Sequence, residues 1–142
     1  MQTINESQDE IIEEFSEMST WIDRYAYIID LGNSLETLPE DQHTPDNLID
    51  GCQSRLWLNC EDRDGKLYFQ ADSDAIIVKG LISLLIRVFS GRTPQEILDA
   101  DLYFIDKIGF KDNLSPTRSN GLLSMVKKIR AYALAFKIKE AQ

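Results

Sequence analysis

Residues 75–90 place the strongest constraint on the fold, because they form one predicted helix that is apolar on nearly every side. A helix without a polar face must be surrounded by other parts of the protein, so we predict that it is the central element. Gly80, in its middle, costs about 1 kcal/mol relative to Ala, and we attribute it to close approach of the sheet backbone. The apolar residues are Ile76, Ile77, Val78, Leu81, Ile82, Leu84, Leu85, Ile86, Val88 and Phe89.

A β-hairpin is predicted directly before this helix. Residues 55–61 and 66–71 alternate between apolar and polar side chains, and the Asp-Arg-Asp-Gly sequence at 62–65 is a tight-turn signal. The short apolar pair Leu48-Ile49 is a third predicted strand. Residues 72–74, Asp-Ser-Asp, offer side chains that would cap the N-terminus of the central helix.

Helices are predicted on both sides of this unit. The first spans residues 7–17, and the second has Ser19 or Thr20 as its N-cap and Gly32 as its C′ residue. Further helices are predicted after Thr93 and Ser115, which each precede a proline. No strand-helix-strand alternation occurs. The prediction is therefore an α+β fold, with a small antiparallel sheet of about three strands packed against helices. The length of 142 residues suits a single domain, residues 1–142, of which residues 1–8 are predicted to be a flexible start.

Composition argues against several classes of function. The net charge is -9, and the one basic-leaning segment, residues 127–139, is interpreted as a solvated helix face, so we expect no nucleic-acid partner. No apolar run is long enough for a membrane span and the acidic N-terminus does not resemble a secretion signal, which predicts a cytoplasmic protein. Two cysteines and one histidine predict neither a disulfide framework nor a metal site.

Cys52 is the candidate reactive group. It follows Gly51 at the start of a predicted strand, and its neighbours are polar, as expected for a nucleophile on a loop held by a scaffold. Cys60, in contrast, shares strand parity with Leu56 and Leu58 and is predicted to be a core residue.

Several kinds of thiol chemistry do not fit Cys52. A phosphatase loop needs Arg six positions later, where Leu58 stands, and a thioredoxin-like pair needs Cys where Arg55 stands. A cysteine protease would have only His43 as its base, and an iron-sulfur scaffold needs more thiolates than two. The residues therefore favour a lone nucleophilic thiol that works with groups from another protein.

Four ordered segments resemble the SufE family of sulfur acceptors. Residues 51–57 are similar to the family's GCQSxVW, residues 72–82 to DSDAxIVKGLI, and residues 114–122 to LSPSRxNGL, with Ser-Gly-Arg-Thr-Pro at 90–94 between them. The departures are Leu56 for Val and Thr117 for Ser. The resemblance extends over about residues 10–136.

This resemblance implies a SufE/NifU-like fold and a role in iron-sulfur cluster assembly. A SufS-like cysteine desulfurase would pass persulfide sulfur to Cys52, which would carry it to a scaffold complex. Pyridoxal phosphate would belong to the desulfurase, and the chain would need no cofactor of its own. Whether such a carrier counts as an enzyme is open, and so is a homodimer.

The resemblance also suggests roles for four further residues, Arg118, Asp74, Gln53 and Ser54, as loop support or partner contacts. For Asp74 the simpler interpretation is an N-cap. We also expect Cys52 to rest beside apolar side chains that shelter its persulfide. Two alternative functions stay open, a non-catalytic adaptor that activates a desulfurase and a thiol redox sensor.

Overall fold

The computed structural model describes residues 2–35, 38–49 and 55–140 of the chain, and it confirms the α+β prediction. Helices precede and follow one β-hairpin. The elements are α1 (Ile4–Ser16), α2 (Trp21–Asn33), a 3-10 turn (Glu40–Gln42), β1 (Leu56–Arg63), β2 (Lys66–Ser73), α3 (Ile76–Phe89), α4 (Pro94–Asp99), α5 (Phe104–Ile108), α6 (Phe110–Asn113) and α7 (Pro116–Glu140).

Strands β1 and β2 form a two-stranded antiparallel sheet that runs from the pair Leu56–Ser73 to the pair Arg63–Lys66. The pairing extends up to a two-residue turn, where Asp64 and Gly65 take positive φ angles of 55° and 85°. Such a turn matches the twist of the strands, which explains why β1 extends to Arg63, beyond its predicted end. Strand β2 is longer than predicted at its other end, where Asp72 and Ser73 pair with Trp57 and Leu56.

The predicted third strand is wrong in the described part of the chain. Leu48 makes only an isolated antiparallel bridge to Trp57. Ile49 N donates to the carbonyl of Leu56 at 2.7 Å, and Leu58 N donates to that of Asn47 at 2.8 Å. Residues 47–49 thus lie along the edge of β1 and pair with it only as an isolated bridge.

Helix α3 is the central element, as its apolar sequence predicts. It packs against β2, α1, α2 and α7. Its residues Val78, Leu81, Leu85 and Val88 are buried in a core that also contains side chains from the hairpin and from the other long helices. The first turn is different, because Ile76 is 61% exposed.

The explanation predicted for Gly80 is wrong, since α2 rather than the sheet approaches it. A Cβ atom at Gly80 would lie 2.0 Å from the carbonyl oxygen of Ile28. Gly32 lies at the same crossing, where an added Cβ would be 2.9 Å from the backbone nitrogen of Gly80. Gly32 is therefore not the residue that ends α2, which continues to Asn33 with Ser34 as its C-cap.

The N-terminal helix begins earlier than predicted. Residues 4–6, which precede the helix predicted at 7–17, belong to α1, and Thr3 and Glu6 form a capping box at its start. Ser7 and Gln8 are buried, and Gln8 Nε2 donates to the carbonyl of Asp101 at 2.9 Å. These local caps and distant contacts explain why the helix begins earlier than apolar periodicity alone predicts.

The C-terminal helices begin where the Thr-Pro and Ser-Pro pairs predict. Thr93 and Glu96 form a capping box at α4, and Arg118 N donates to Ser115 Oγ at 3.3 Å in the first turn of α7. Leu122 and Ile129 of α7 are buried against the core. None of the helices formed by residues 2–35, 38–49 and 55–140 is long and apolar enough to cross a membrane.

The helix crossing gives a first prediction. Gly80→Ala should lower the free energy of unfolding by about 3 kcal/mol or more, because the new methyl group collides with rigid backbone. Denaturant unfolding followed by circular dichroism measures the change.

Gly121→Ala is the matched control in α7. Its Cβ would meet only Val78, at 4.0 Å, so the better helix propensity of Ala should raise stability by up to about 1 kcal/mol. Equal stability of the Gly80→Ala protein and the parent would contradict the close crossing.

Candidate functional site

The predicted acceptor Cys52 lies outside the described residues, as do Gly51, Gln53 and Ser54. Their predicted roles, and the predicted shelter of the thiol, therefore stay predictions. The structure describes the chain on both sides of residues 50–54, and the surroundings of these two ends define the candidate site.

The upstream end of the segment is bonded to β1. Ile49 is buried at 7% exposure, and its hydrogen bond to Leu56 connects the residue before the segment to a residue just after it. Asn47 is also buried, and its side-chain amide donates to the carbonyl of Gln42 at 2.8 Å. The chain is thus anchored by backbone and side-chain bonds immediately before residue 50.

The downstream end is bonded to the start of α3. Arg55 N donates to Asp74 Oδ1 at 3.0 Å, and Asp74 N donates to the carbonyl of Arg55 at 3.3 Å. Ser73 Oγ donates to the same carbonyl at 2.9 Å. The residue after the segment therefore has three hydrogen bonds to the connection between β2 and α3.

These bonds correct the capping prediction for residues 72–74. The N-cap of α3 is Ala75, with no side-chain capping bond, because the Asp74 carboxylate accepts from Arg55 instead. Ser73 Oγ accepts from Ala75 N at 3.1 Å, and Asp72 Oδ1 accepts from Ser73 N at 2.8 Å. The short polar sequence thus joins the hairpin to the helix, and no side chain of the described residues is recorded as accepting from the first amides of α3.

Arg118 and Asp74 line the same surface groove, which has a volume of about 420 Å³. Residues 75–78, at the start of α3, also line it, as does Ser115 just before α7. No ion pair recorded among the described residues includes Arg118. Sequence reasoning named both residues, but their meeting in one groove depends on the packing of α7 against α3.

The groove combines several sources of positive charge with the carboxylate of Asp74. Helices α3 and α7 both begin there, and the N-terminus of a helix carries partial positive charge. The guanidinium of Arg118 adds a full positive charge, while one oxygen of the Asp74 carboxylate is engaged by Arg55. A thiolate beside such groups is stabilised relative to the thiol.

His43 belongs to a cluster that sequence reasoning missed. Its ring stacks on Trp57 with centroids 4.3 Å apart, and its Nε2 lies 3.0 Å from Asp72 Oδ2, although without hydrogen-bond alignment. Lys79 Nζ lies 3.5 Å from the other Asp72 oxygen. Trp57 and Asp72 are paired across the hairpin. This cross-strand pairing was the signal in the sequence from which the cluster could have been predicted. The cluster holds residues 38–49 against the sheet.

Cys60 is a poor nucleophile in the folded protein. Burial, and secondly the charge of Asp62, raise the pKa of its thiol to about 12. Its side chain packs against the core, in agreement with the prediction from strand parity. Within the described residues, no group of three or more His, Cys, Asp or Glu side chains is placed to hold a metal ion.

The chain is similar to known proteins along most of its length. A family profile named SufE, Fe-S metabolism associated domain, matches residues 9–133. An uncharacterized SufE-like protein of Rhizobium etli is 43% identical over 132 residues, covering 89% of this chain and 89% of that protein. One of Rhizobium meliloti is 40% identical over 132 residues, covering 89% and 94%.

A solved structure supports the fold. The solution structure of a hypothetical protein from Thermus thermophilus has a TM-score of 0.74 to this chain, covering 91% of this chain and 94% of its own. The two sequences are 18% identical, so this likeness concerns the fold alone.

The pKa of Cys60 gives a second prediction. In Cys52→Ala protein at pH 8, iodoacetamide should modify folded Cys60 at least about 100-fold more slowly than the denatured protein, because the folded thiol is almost fully protonated. Mass spectrometry over time measures both rates. The folded rate should still rise with pH above 9, and a rate already at its plateau at pH 9 would contradict the raised pKa.

Proposed function

The chain belongs to the SufE family of Fe-S metabolism, and from that membership we propose that it is a sulfur carrier with Cys52 as its acceptor. The carrier would take sulfur from a SufS-like cysteine desulfurase, stimulate that enzyme, and deliver the sulfur to an iron-sulfur scaffold complex. Residues 1–142 would act as one domain. Pyridoxal phosphate would be needed only in the desulfurase.

The proposed transfer is a thiol-disulfide type of exchange. The Cys52 thiolate attacks the outer sulfur of the partner's cysteine persulfide and forms a new sulfur-sulfur bond. The old sulfur-sulfur bond breaks, and the partner's cysteine leaves as a thiolate. No electrons enter or leave the pair of proteins, so the step needs no separate oxidant or reductant.

The observation that carries the proposal is the anchoring of both ends of residues 50–54. The upstream end is bonded to β1 through Ile49, and the downstream end is bonded to Asp74 through Arg55. A short segment whose flanking residues are bonded to β1 and to the connection between β2 and α3 suits a thiol that must meet partner proteins in a defined place. The other cysteine, Cys60, is held protonated by burial and does not compete.

Arg118 and the starts of α3 and α7 supply the activation that the proposed exchange needs. Positive charge in the groove would lower the pKa of a thiol brought beside it, and it would stabilise the negative charge during attack. Gln53 and Ser54 are proposed to shape the segment around the thiol.

Sulfur loading gives the third prediction. Incubation with a SufS-like desulfurase and cysteine should add about 32 Da to the protein, the mass of one sulfur atom. The Cys60→Ala variant should gain the same mass and Cys52→Ala should gain none, as measured by intact mass spectrometry and peptide mapping.

Desulfurase turnover in the same samples separates the alternatives. Cys52→Ala should lose most of the stimulation, because no acceptor removes the sulfur. If Cys52→Ala stimulates as well as the parent does, the protein is an adaptor and the carrier proposal is wrong. If peroxide alone oxidises Cys52 while the desulfurase never loads it, the redox-sensor alternative replaces the proposal.

The Asp74 bond gives the fourth prediction. Asp74→Ala removes the side-chain acceptor of Arg55 N, and the freed downstream end should let Cys52 react several-fold faster with a bulky disulfide reagent. Stopped-flow measurement with Ellman's reagent gives the rate.

Asp62→Ala is the matched control, because its carboxylate also accepts from a backbone nitrogen, that of Gly65 at 2.9 Å, at the far end of the hairpin. Both variants are made in Cys60→Ala protein, because Asp62 affects the pKa of Cys60. The control should lose similar stability and leave the Cys52 rate unchanged. Equal thiol rates in the two variants would show that Asp74 does not hold the segment.

A further inference from the structure

Helix α7 carries a second stripe of side chains that faces away from the core. We define this outer stripe as Leu123, Lys127, Ala131, Leu134 and Ile138, which are spaced by four, four, three and four residues and are all exposed. Leu123, Leu134 and Ile138 are 58%, 51% and 53% exposed. They are three of the five exposed large hydrophobic residues in the described chain, the other two being Ile22 and Ile76. Such clustering on one helix face is typical of an interaction surface.

Positive charge is concentrated along the same part of α7. Residues 127–139 contain five of the 15 Lys and Arg residues of the chain, and all 24 Asp and Glu residues lie outside this range. Among the described residues, no recorded ion pair includes any of the five cations. Lys137 donates to the side-chain oxygen of Gln95, and Arg130 donates to the carbonyl of Ala100, so both bind neutral acceptors. The five cations are Lys127, Lys128, Arg130, Lys137 and Lys139.

The outer stripe is continuous with the upstream end of the candidate site. A groove of about 370 Å³ is lined by Leu48 and Ile49 on one side and by Ser124, Lys127 and Ala131 of α7 on the other. Ile49 directly precedes residues 50–54, which include Cys52. A partner bound on the outer stripe would therefore extend to the segment that carries the proposed acceptor.

From these observations, and resting on the proposed function, we infer that the outer stripe of α7 docks an acidic, partly apolar helical face of the desulfurase that supplies the sulfur. The spacing by threes and fours suits a partner helix. The lysines, which form no recorded ion pair in the described chain, complement acidic side chains, and this favours specific and fast association. The donor is the chosen partner because it must recognise the carrier before it releases a reactive sulfur to any thiol.

Other occupants of the outer stripe match these charges less well. A second copy bound through the same stripe would bring two groups of like-charged cations together, which is unfavourable. Nucleic acid and anionic membranes would attract this helix but would be repelled by the acidic remainder of the chain. Neither of these surfaces combines carboxylate groups with apolar side chains, as a protein surface can.

The fifth prediction tests the docking surface with a SufS-like desulfurase as the probe. Leu134→Glu/Ile138→Glu should raise the carrier concentration that gives half-maximal stimulation about tenfold, as expected for loss of apolar anchors. Lys127→Glu/Lys128→Glu should do the same and should also remove most of the salt dependence between about 50 and 300 mM NaCl. Saturating amounts of either variant should restore the parental maximal rate, because Cys52 is untouched.

Matched controls place the same changes elsewhere on the surface. Ile22→Glu changes an even more exposed apolar residue of α2, at 81% exposure, and Lys66→Glu/Lys107→Glu reverses two exposed cations far from residues 127–139 in the sequence. Both controls should keep the parental half-maximal concentration. Thermal unfolding should show that every variant remains folded.

Several outcomes would overturn the inference. If the half-maximal concentration of both α7 variants is unchanged, the desulfurase does not bind there, even when transfer to a scaffold is slowed. If the α7 substitutions change the sedimentation coefficient of the carrier alone, the stripe binds a second copy of the chain. If they abolish binding to DNA or to anionic vesicles, the stripe binds those surfaces. The proposed function is contradicted by a different result, namely that the Cys52→Ala variant still transfers sulfur.

Discussion

The backbone crossing of α2 and α3 is the contact on which the rest of the structure depends. Gly80 and Gly32 lie where the helices touch, and the carbonyl of Ile28 occupies the space that a side chain at Gly80 would need. This contact sets the distance of α3 from α2, while α3 also packs against β2 and α7. Since Asp74 lies just before α3, the same crossing determines where the downstream anchor of residues 50–54 is held.

At the candidate site, a side chain that could cap a helix binds another part of the chain instead. Asp74 follows the hairpin at a position suited to helix capping, yet its carboxylate binds Arg55, and α3 starts without a side-chain cap. Capping is worth about 1 kcal/mol, so the arrangement has a cost for the helix. In return, Arg55 is held next to residues 50–54, and the start of α3 keeps its partial positive charge facing the groove of Arg118.

Charge is distributed unevenly over the molecule in a way that composition does not reveal. Arg87 lies between Glu10 and Glu14 and pairs with both, and Lys79 shares Asp72 with His43. The cations of residues 127–139 have no such partners in the described structure, although the chain as a whole has an excess of acid. Arg87 thus links α3 to α1, whereas Lys127, Lys137 and Lys139 of α7 are exposed and take part in no recorded ion pair of the described residues.

Local patterns in the sequence determined the kind and order of the elements. The apolar run of α3, the Asp-Gly turn of the hairpin and the Thr-Pro and Ser-Pro helix starts act within a few residues, so they are readable without the fold. The same patterns singled out Cys52 as the candidate thiol. They were wrong wherever a distant residue competed, as at Gly32, Gly80 and Asp74. Only the tertiary structure decided that these glycines serve a helix crossing, that Asp74 anchors Arg55 and that Arg118 shares its groove, because each depends on residues remote in sequence and on close packing.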